Sequence, residues 1–153
     1  MSGQLKRARM VDVTEKPEVH REASASGRLR LKPETIQLIK EGKTVKGDPI
    51  AVAEVAAVLA AKNTPQVIPF CHNLFISDVE TRTTLARDAV TVNVRVKASG
   101  KTGVEMEALT ATAAYLLTFW DMVKAHEKDE GGQYPHTAIE WIKVERKEKR
   151  SPE

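Results

Sequence analysis

The sequence predicts an α+β domain, a ferredoxin-like sandwich in which an antiparallel sheet carries helices packed on one face. Three observations lead there. Stretches with strand and helix periodicity follow one another in the order β-α-α-β-β-α-β. Val92, Val94 and Val96 alternate with polar neighbours, as a half-buried strand requires. The longest periodic segment, from about Gly103 to His126, reads as a helix and separates that strand from a final alternating one.

Element by element, residues 21 to 31 (REASASGRLRL) alternate toward their end like a strand, and Pro33 then opens the short helix PETIQLIKEG, which Gly42 stops. After the loop KTVKGD, Pro49 stands in the first turn of PIAVAEVAAVLAAKN. Its apolar residues lie nearly all round, which predicts a helix buried on most of its surface. TPQVIPFCHN breaks it. LFISDVETRTTL and AVTVNVRVKAS flank ARDA as a β-hairpin. DEGGQYPH forms a loop after the long helix, and AIEWIKVERK is the last strand.

A chain of 153 residues, 41% hydrophobic, fits one globular domain with a sizeable core. The expected boundaries are a flexible tail over 1–10, a single domain over 11–148 and a second flexible tail over 149–153. No apolar run approaches the roughly 18 residues of a membrane span. MSGQLKRARMVDVTEK lacks the apolar core of a secretory signal, and the lone Cys71 excludes an intramolecular disulfide, so a cytoplasmic protein with no membrane partner is expected. The net charge of +3 gathers in KRAR and KVERKEKR, the latter interrupted by Glu145 and Glu148. A nucleic-acid partner is therefore not expected.

The chemistry starts from GKTGVEMEALTA, residues 100 to 111. A nucleotide P-loop needs a glycine five positions before its Gly-Lys pair, and Arg95 stands there. A helix start fits better, with Thr102 or Gly103 as the cap and Glu105 and Glu107 in the first turn, where the helix dipole favours acids. Further along the same helix Asp121 and Lys124 lie three residues apart on one face. They are either an ordinary surface pair or a carboxylate tuning a lysine for proton transfer, the latter requiring burial that lowers the ammonium's pKa. Cys71 and His72 are adjacent, which suits neither zinc nor a nucleophile pair, and His20, His126 and His136 show no ligand spacing. Lys46, in the KGD loop, is a solvated lysine or a substrate contact.

MVDVTEK, VHREA, KGD, IPFCH with Leu74 after it, GKTGVEMEALTA and DMVKAHEKD occur in an order that resembles the cyclic pyranopterin monophosphate synthase (MoaC) family, over about residues 10 to 147. The resemblance implies an enzyme of molybdenum cofactor biosynthesis, a lyase that converts a GTP-derived cyclic dihydroguanosine triphosphate into cyclic pyranopterin monophosphate and releases pyrophosphate. It places a radical-SAM enzyme upstream. It also implies a homo-oligomer, a hexamer built as a trimer of dimers with sites at subunit interfaces. Carried over residue by residue, Asp121, Lys124 and Lys46 are the catalytic positions, while Phe70, Cys71, His72, Met106, Glu107, Glu105, Arg21 and Asp12 bind substrate. No metal ligands and no resident cofactor are implied, with Mg2+ left open as a companion of the substrate phosphates.

The chain departs from the family pattern at Phe70 and Asn73, and at its C-terminus, where EWIKVERKEKRSPE replaces a Lys-Ser-Gly-Gly-Lys-Ser-Gly stretch. Lys143, Arg146 or Lys147 would then supply phosphate contacts. Two other function classes compete. A non-catalytic nucleotide-binding or protein-interaction module of the same fold would have no use for the Asp121-Lys124 pair, and an RNA-binding domain would need aromatic residues that AVTVNVRV lacks.

Overall fold

Period-two alternation becomes a four-stranded antiparallel sheet. The computed structural model describes residues 3–151 and has the elements β1 (Val19–Arg30), α1 (Pro33–Lys40), α2 (Pro49–Lys62), α3 (Thr64–Val67), β2 (Phe75–Leu85), β3 (Ala89–Gly100), α4 (Glu105–Glu127) and β4 (Ala138–Arg150). The expected hairpin is β2-β3, closed by the Ala86 N–H donating to Ala89 O at 2.8 Å. The strand order is β2-β3-β1-β4. Each helical connection therefore skips one strand, α1 and α2 on the way from β1 to β2 and α4 from β3 to β4, which is the ferredoxin-like arrangement.

The two sheet faces divide by chemistry. Ala23, Ala25 and Leu29 of β1 and Val90, Val92, Val94, Val96 and Ala98 of β3 are buried in one core with Ala108, Ala111, Tyr115, Leu116, Phe119 and Val123 of α4. The α4 residues recur every three or four positions, so one stripe of the helix lies along the sheet. Gly27 allows that approach: a Cβ there would stand 2.6 Å from Leu116 Cδ1. The opposite sheet face is polar and self-paired, with Arg95 bridging Glu22 (3.6 Å) and Glu80, and Arg28 Nε 2.9 Å from Glu140.

Among the described residues, Glu127 at the end of α4 is the carboxylate residue with no exposed surface. It accepts hydrogen bonds from Lys32 N–H, the Thr35 hydroxyl and the Thr137 hydroxyl (2.6 Å), which offset its desolvation and join the start of α1 and the approach to β4 to α4.

Four local expectations change. The stretch after α2 contains a short helix, α3, with Ile68 N–H donating to Thr64 O at 2.9 Å. β1 begins at Val19, because Val19 and His20 pair with Gly100 and Ser99. α4 is capped by neither Thr102 nor Gly103: its N-cap is Val104, without a side-chain cap bond. Most consequentially, α2 buries only the stripe Pro49, Ala53, Ala57 and Ala61. Val52, Val55 and Leu59 face outward, Val55 at 60% exposure, because α2 packs chiefly on α4, and its contacts with β2 and α3 leave this face uncovered. Of the expected tails, residues 1–2 and 152–153 lie outside the described residues; residues 3–10 carry no helix or strand, and Lys149 and Arg150 complete β4 opposite Arg21 and His20. Among the described residues no helix is long and apolar enough to cross a membrane.

Candidate active site

Helix α4 carries a polar cluster at each end. Near its C-terminal end Asp121 and Lys124 lie on one face, with Lys124 Nζ 3.0 Å from Asp121 Oδ1. Lys46 reaches across from the loop between α1 and α2, its Nζ donating to Asp121 Oδ2 at 3.2 Å. One carboxylate thus holds two ammonium groups, one on each oxygen. Hydrogen bonds from Lys124 and then Lys46 hold the Asp121 carboxyl below its ordinary pKa, and the same bond from Asp121 raises that of Lys124. The expected lowering of a lysine pKa by burial is not what the structure has. Lys124 is solvent-accessible and beside an anion, so attraction outweighs desolvation and favours the charged form.

The other cluster surrounds the start of α4. Glu107 is 3% exposed and its Oε2 has no hydrogen-bond partner. Burial, reinforced by the charge of Glu105 and opposed by its own backbone N–H, pushes its pKa up to about 7. Glu105 Oε2 is likewise buried without a partner, while Glu105 Oε1 lies 3.6 Å from Lys147 Nζ. Cys71 stands beside both glutamates: burial first, then the charges of Glu107 and Glu105, push its thiol pKa up. Met106 and Phe70 present exposed apolar surface, Phe70 at 50%.

His72 and Asp12 meet along the N-terminal segment. His72 Nε2 lies 2.7 Å from Val11 O, and Lys101 Nζ donates to Thr14 O at 3.2 Å. Asp12 accepts from Thr14 N–H at 2.9 Å, and that residue's hydroxyl and N–H, followed by the charges of Lys101 and His72, lower the Asp12 pKa. Arg21 Nε donates to Gly100 O at 3.4 Å and lines two adjoining clefts of about 260 and 370 Å³, the first with Glu105, Lys147 and Lys149, the second with Lys16, Lys101 and Lys149. These clefts are basic ground beside acidic residues. Among the three C-terminal basic candidates only Lys147 is here, since Arg146 pairs with Glu148 on the opposite sheet face and Lys143 lies 5.0 Å over the Trp141 ring.

Of the eleven residues singled out from sequence, Lys46, Asp121 and Lys124 share one cluster; Glu105, Glu107 and Cys71 form another at the start of α4, with Arg21 in the cleft beside Glu105; Asp12 and His72 meet separately at the N-terminal segment; Phe70 and Met106 present exposed apolar surface. Lys16, Lys101 and Lys149 join Arg21 in the clefts without a sequence signal. Lys101 stands in GKTGVEMEALTA, but nothing in its spacing tells that it reaches Thr14. Among the described residues no three His, Cys, Asp or Glu side chains gather as a metal site.

The buried Glu107 has a stability consequence. Its folded-state pKa of about 7 exceeds the ordinary carboxyl value, so the folded protein holds a proton that the unfolded chain releases. Stability from this group is full below the ordinary value of 4.5 and is lost as pH rises through about 7. Glu107→Gln should therefore match wild type near pH 4.5 and exceed it at pH 8, by at most about 3 kcal/mol at ~1.36 kcal/mol per pKa unit. Urea unfolding of both proteins at equal protomer concentration checks it; parallel pH profiles would sink the idea.

Comparison with known proteins bears on the family of the chain. The family model described as MoaC family matches residues 10–150. A relative from Aeropyrum pernix is 56% identical over 142 residues, covering 93% of this chain and 97% of its own. One from Thermococcus kodakarensis is 54% identical over 144 residues (94% of this chain, 92% of its own), and one from Methanoregula boonei 52% over 143 (94% and 92%). All three are named as probable cyclic pyranopterin monophosphate synthases. Matched by the family model over nearly its whole length and more than half identical to these relatives, the chain belongs to the MoaC family.

Proposed function

We propose that the protein is a cyclic pyranopterin monophosphate synthase of molybdenum cofactor biosynthesis, converting (8S)-3',8-cyclo-7,8-dihydroguanosine 5'-triphosphate to cyclic pyranopterin monophosphate and pyrophosphate. The observation that carries this reading is the Lys46-Asp121-Lys124 cluster, where one carboxylate holds two lysines from separate elements, in a chain whose relatives bear that name. A cyclic phosphate forms when a sugar oxygen bonds to the phosphorus nearest the sugar and the bridging P–O bond to pyrophosphate breaks. The attacking hydroxyl must lose a proton, and the departing pyrophosphate must have its charge met.

Resting protonation states divide the work. Asp121, held below its ordinary pKa, is the carboxylate that accepts a proton or orients one, and Lys124, held above its own, starts as the ammonium that donates or anchors. Glu107, near 7, can accept or donate at neutral pH and pairs with the amino and N–H donors of the guanine-derived ring. A triphosphate carries about four negative charges near neutral pH, and Arg21, Lys101, Lys147 and Lys149 line a basic surface that offsets them. No resident cofactor enters; magnesium would arrive with the phosphates.

The reading extends to assembly and location. Val52, Val55, Leu59 and Leu117, with Val67, Phe70 and Phe75, leave much apolar surface uncovered in one chain. Such surface is covered by association, here as a homohexamer built as a trimer of dimers, with sites at subunit interfaces. The enzyme would work in the cytoplasm, without nucleic acid or membrane partners.

The test is direct: supply enzymatically made cyclic dihydro-GTP and follow cyclic pyranopterin monophosphate and pyrophosphate in parallel. Neither product forming with folded, assembled protein would overturn the proposal. Cys71→Ser should keep most of this activity, because its thiol is held protonated beside two glutamates and makes a poor nucleophile. A folded Cys71→Ser protein without turnover, together with a trapped covalent adduct on wild-type Cys71, would reverse that assignment.

A further inference from the structure

Lys46 sits on a β-turn, Thr44 to Gly47, whose own hydrogen bonds, including one from the Thr44 hydroxyl to Gly47 O at 2.5 Å, close the turn on itself without fixing it to the rest of the fold. The turn is closed by Gly47 N–H donating to Thr44 O at 3.2 Å, and Gly47 takes φ 98°, a conformation that favours glycine. Val45 is 75% exposed, so no apolar burial fixes the segment. On its C-terminal side Asp48 caps α2, accepting from Ile50 N–H at 2.9 Å. On the other side Lys43 N–H donates to Leu38 O at 2.9 Å and ends α1. Those bonds anchor the two ends of the loop, and neither tells the turn which way to face.

The orientation comes from α4. Val45 N–H donates to Nε2 of His126 at 3.1 Å, the one backbone hydrogen bond among the described residues that ties this turn to another element. His126 lies in the last turn of the helix that presents Asp121 and Lys124. The residue accepting from Val45 and the carboxylate accepting from the neighbouring Lys46 thus share one rigid element, at 3.1 and 3.2 Å. We propose that His126 is a positioning residue, whose Nε2 seats the Thr44–Gly47 turn on α4 so that the Lys46 ammonium meets Asp121. The role rests on the reading of Lys46 as part of the reactive cluster.

A simpler account makes His126 a cation favoured near a helix C-terminus. The bond argues otherwise. An amide N–H needs a lone pair, so Nε2 is unprotonated and the ring proton is on Nδ1; a fully protonated imidazole has nothing to offer Val45. The two accounts separate by substitution. His126→Lys keeps a cation at the helix end and removes the acceptor. His126→Gln places a carbonyl oxygen near the position of Nε2 and restores it. Both residues suit helices and a partly exposed site, so neither should disturb the fold.

The test measures turnover of cyclic dihydro-GTP alongside hydrogen exchange of the Val45 amide in the assembled protein. A neutral hydrogen bond biases one conformation by roughly 3- to 10-fold. His126→Lys should speed Val45 exchange and lower kcat by about that factor, with KM within about twofold, while His126→Gln stays near wild type in both. In the Lys46→Ala background, His126→Lys should cost nothing further in kcat. Unchanged Val45 exchange in His126→Lys would overturn the proposed tether. Faster exchange with full activity would overturn the positioning role, as would a Gln variant as impaired as the Lys one. If Lys46→Ala itself stays active, the reading of the cluster fails, while Val45 exchange still reports separately on the tether.

Discussion

Lys46→Ala and Lys124→Ala should each lower turnover by at least about 100-fold while leaving the fold and assembly intact. Positioned proton donors and acceptors contribute roughly 100- to 10,000-fold. Neither lysine belongs to the core: their side chains are 42% and 40% exposed, and their shared partner Asp121 is more exposed still. Removing one therefore leaves no buried charge unpaired and no cavity. Asp121→Asn should be as severe, since it preserves size but turns an acceptor of two charged hydrogen bonds into a neutral amide beside two ammonium groups. The measurement is steady-state kcat on cyclic dihydro-GTP with unfolding curves recorded alongside. A folded lysine variant retaining more than about a tenth of wild-type activity would contradict the catalytic role by that arithmetic. It would favour the binding-module alternative, in which these residues only decorate a surface.

That such residues could be picked from sequence while others could not has a physical explanation. The hairpin β2-β3 and the helices announce themselves locally: Val92, Val94 and Val96 alternate, Pro33 and Pro49 open helices, and Gly42 stops one. The additions to β1 and β4 depend on pairing across the chain, Val19 with Gly100 and Arg150 with His20, for which the residues themselves give no sign. Likewise the apolar composition of α2 looks the same whether it faces a core or another subunit, and only the packing shows that Val55 and Leu59 point outward.

The site divides in the same way. Asp121 and Lys124 are visible as an i, i+3 pair, but Lys46 joins them across 75 positions, and the hydrogen bonds of Glu127 with Lys32 and Thr35 and of His126 with Val45 follow no local pattern. The resemblance to a family implies which residues belong together. It could not supply protonation. Burial of Glu107 without a hydrogen-bond partner for Oε2, and the rise rather than fall of the Lys124 pKa, are consequences of where helix α4 places its two ends.

Mixing inactive Glu107→Ala protein with inactive Asp121→Ala protein under subunit exchange should restore activity. Helix α4 runs unbroken from Glu105 to Glu127, so the two positions, fourteen residues apart, stand about 21 Å from each other along one axis at ~1.5 Å per residue. A single nucleotide-sized substrate cannot have its base at one and its reacting atoms at the other within one chain, since that span exceeds the reach of side chains meeting over a few ångströms. If both serve one site, Glu107 comes from one subunit and Asp121 from its neighbour. The outward apolar face of α2 and exposed Phe70 and Phe75 give such a neighbour a surface to cover. The arithmetic of exchange is then definite. At equal mixing, a site takes its Glu107 position from a subunit wild type there half the time, and its Asp121 position likewise, so about a quarter of the sites are complete. Activity should climb from near zero toward about a quarter of wild type as exchange proceeds, and each parent incubated alone should stay inactive. Confirmed mixed oligomers with no activity would mean that each chain must use its own Glu107 and Asp121, and would sink the shared site.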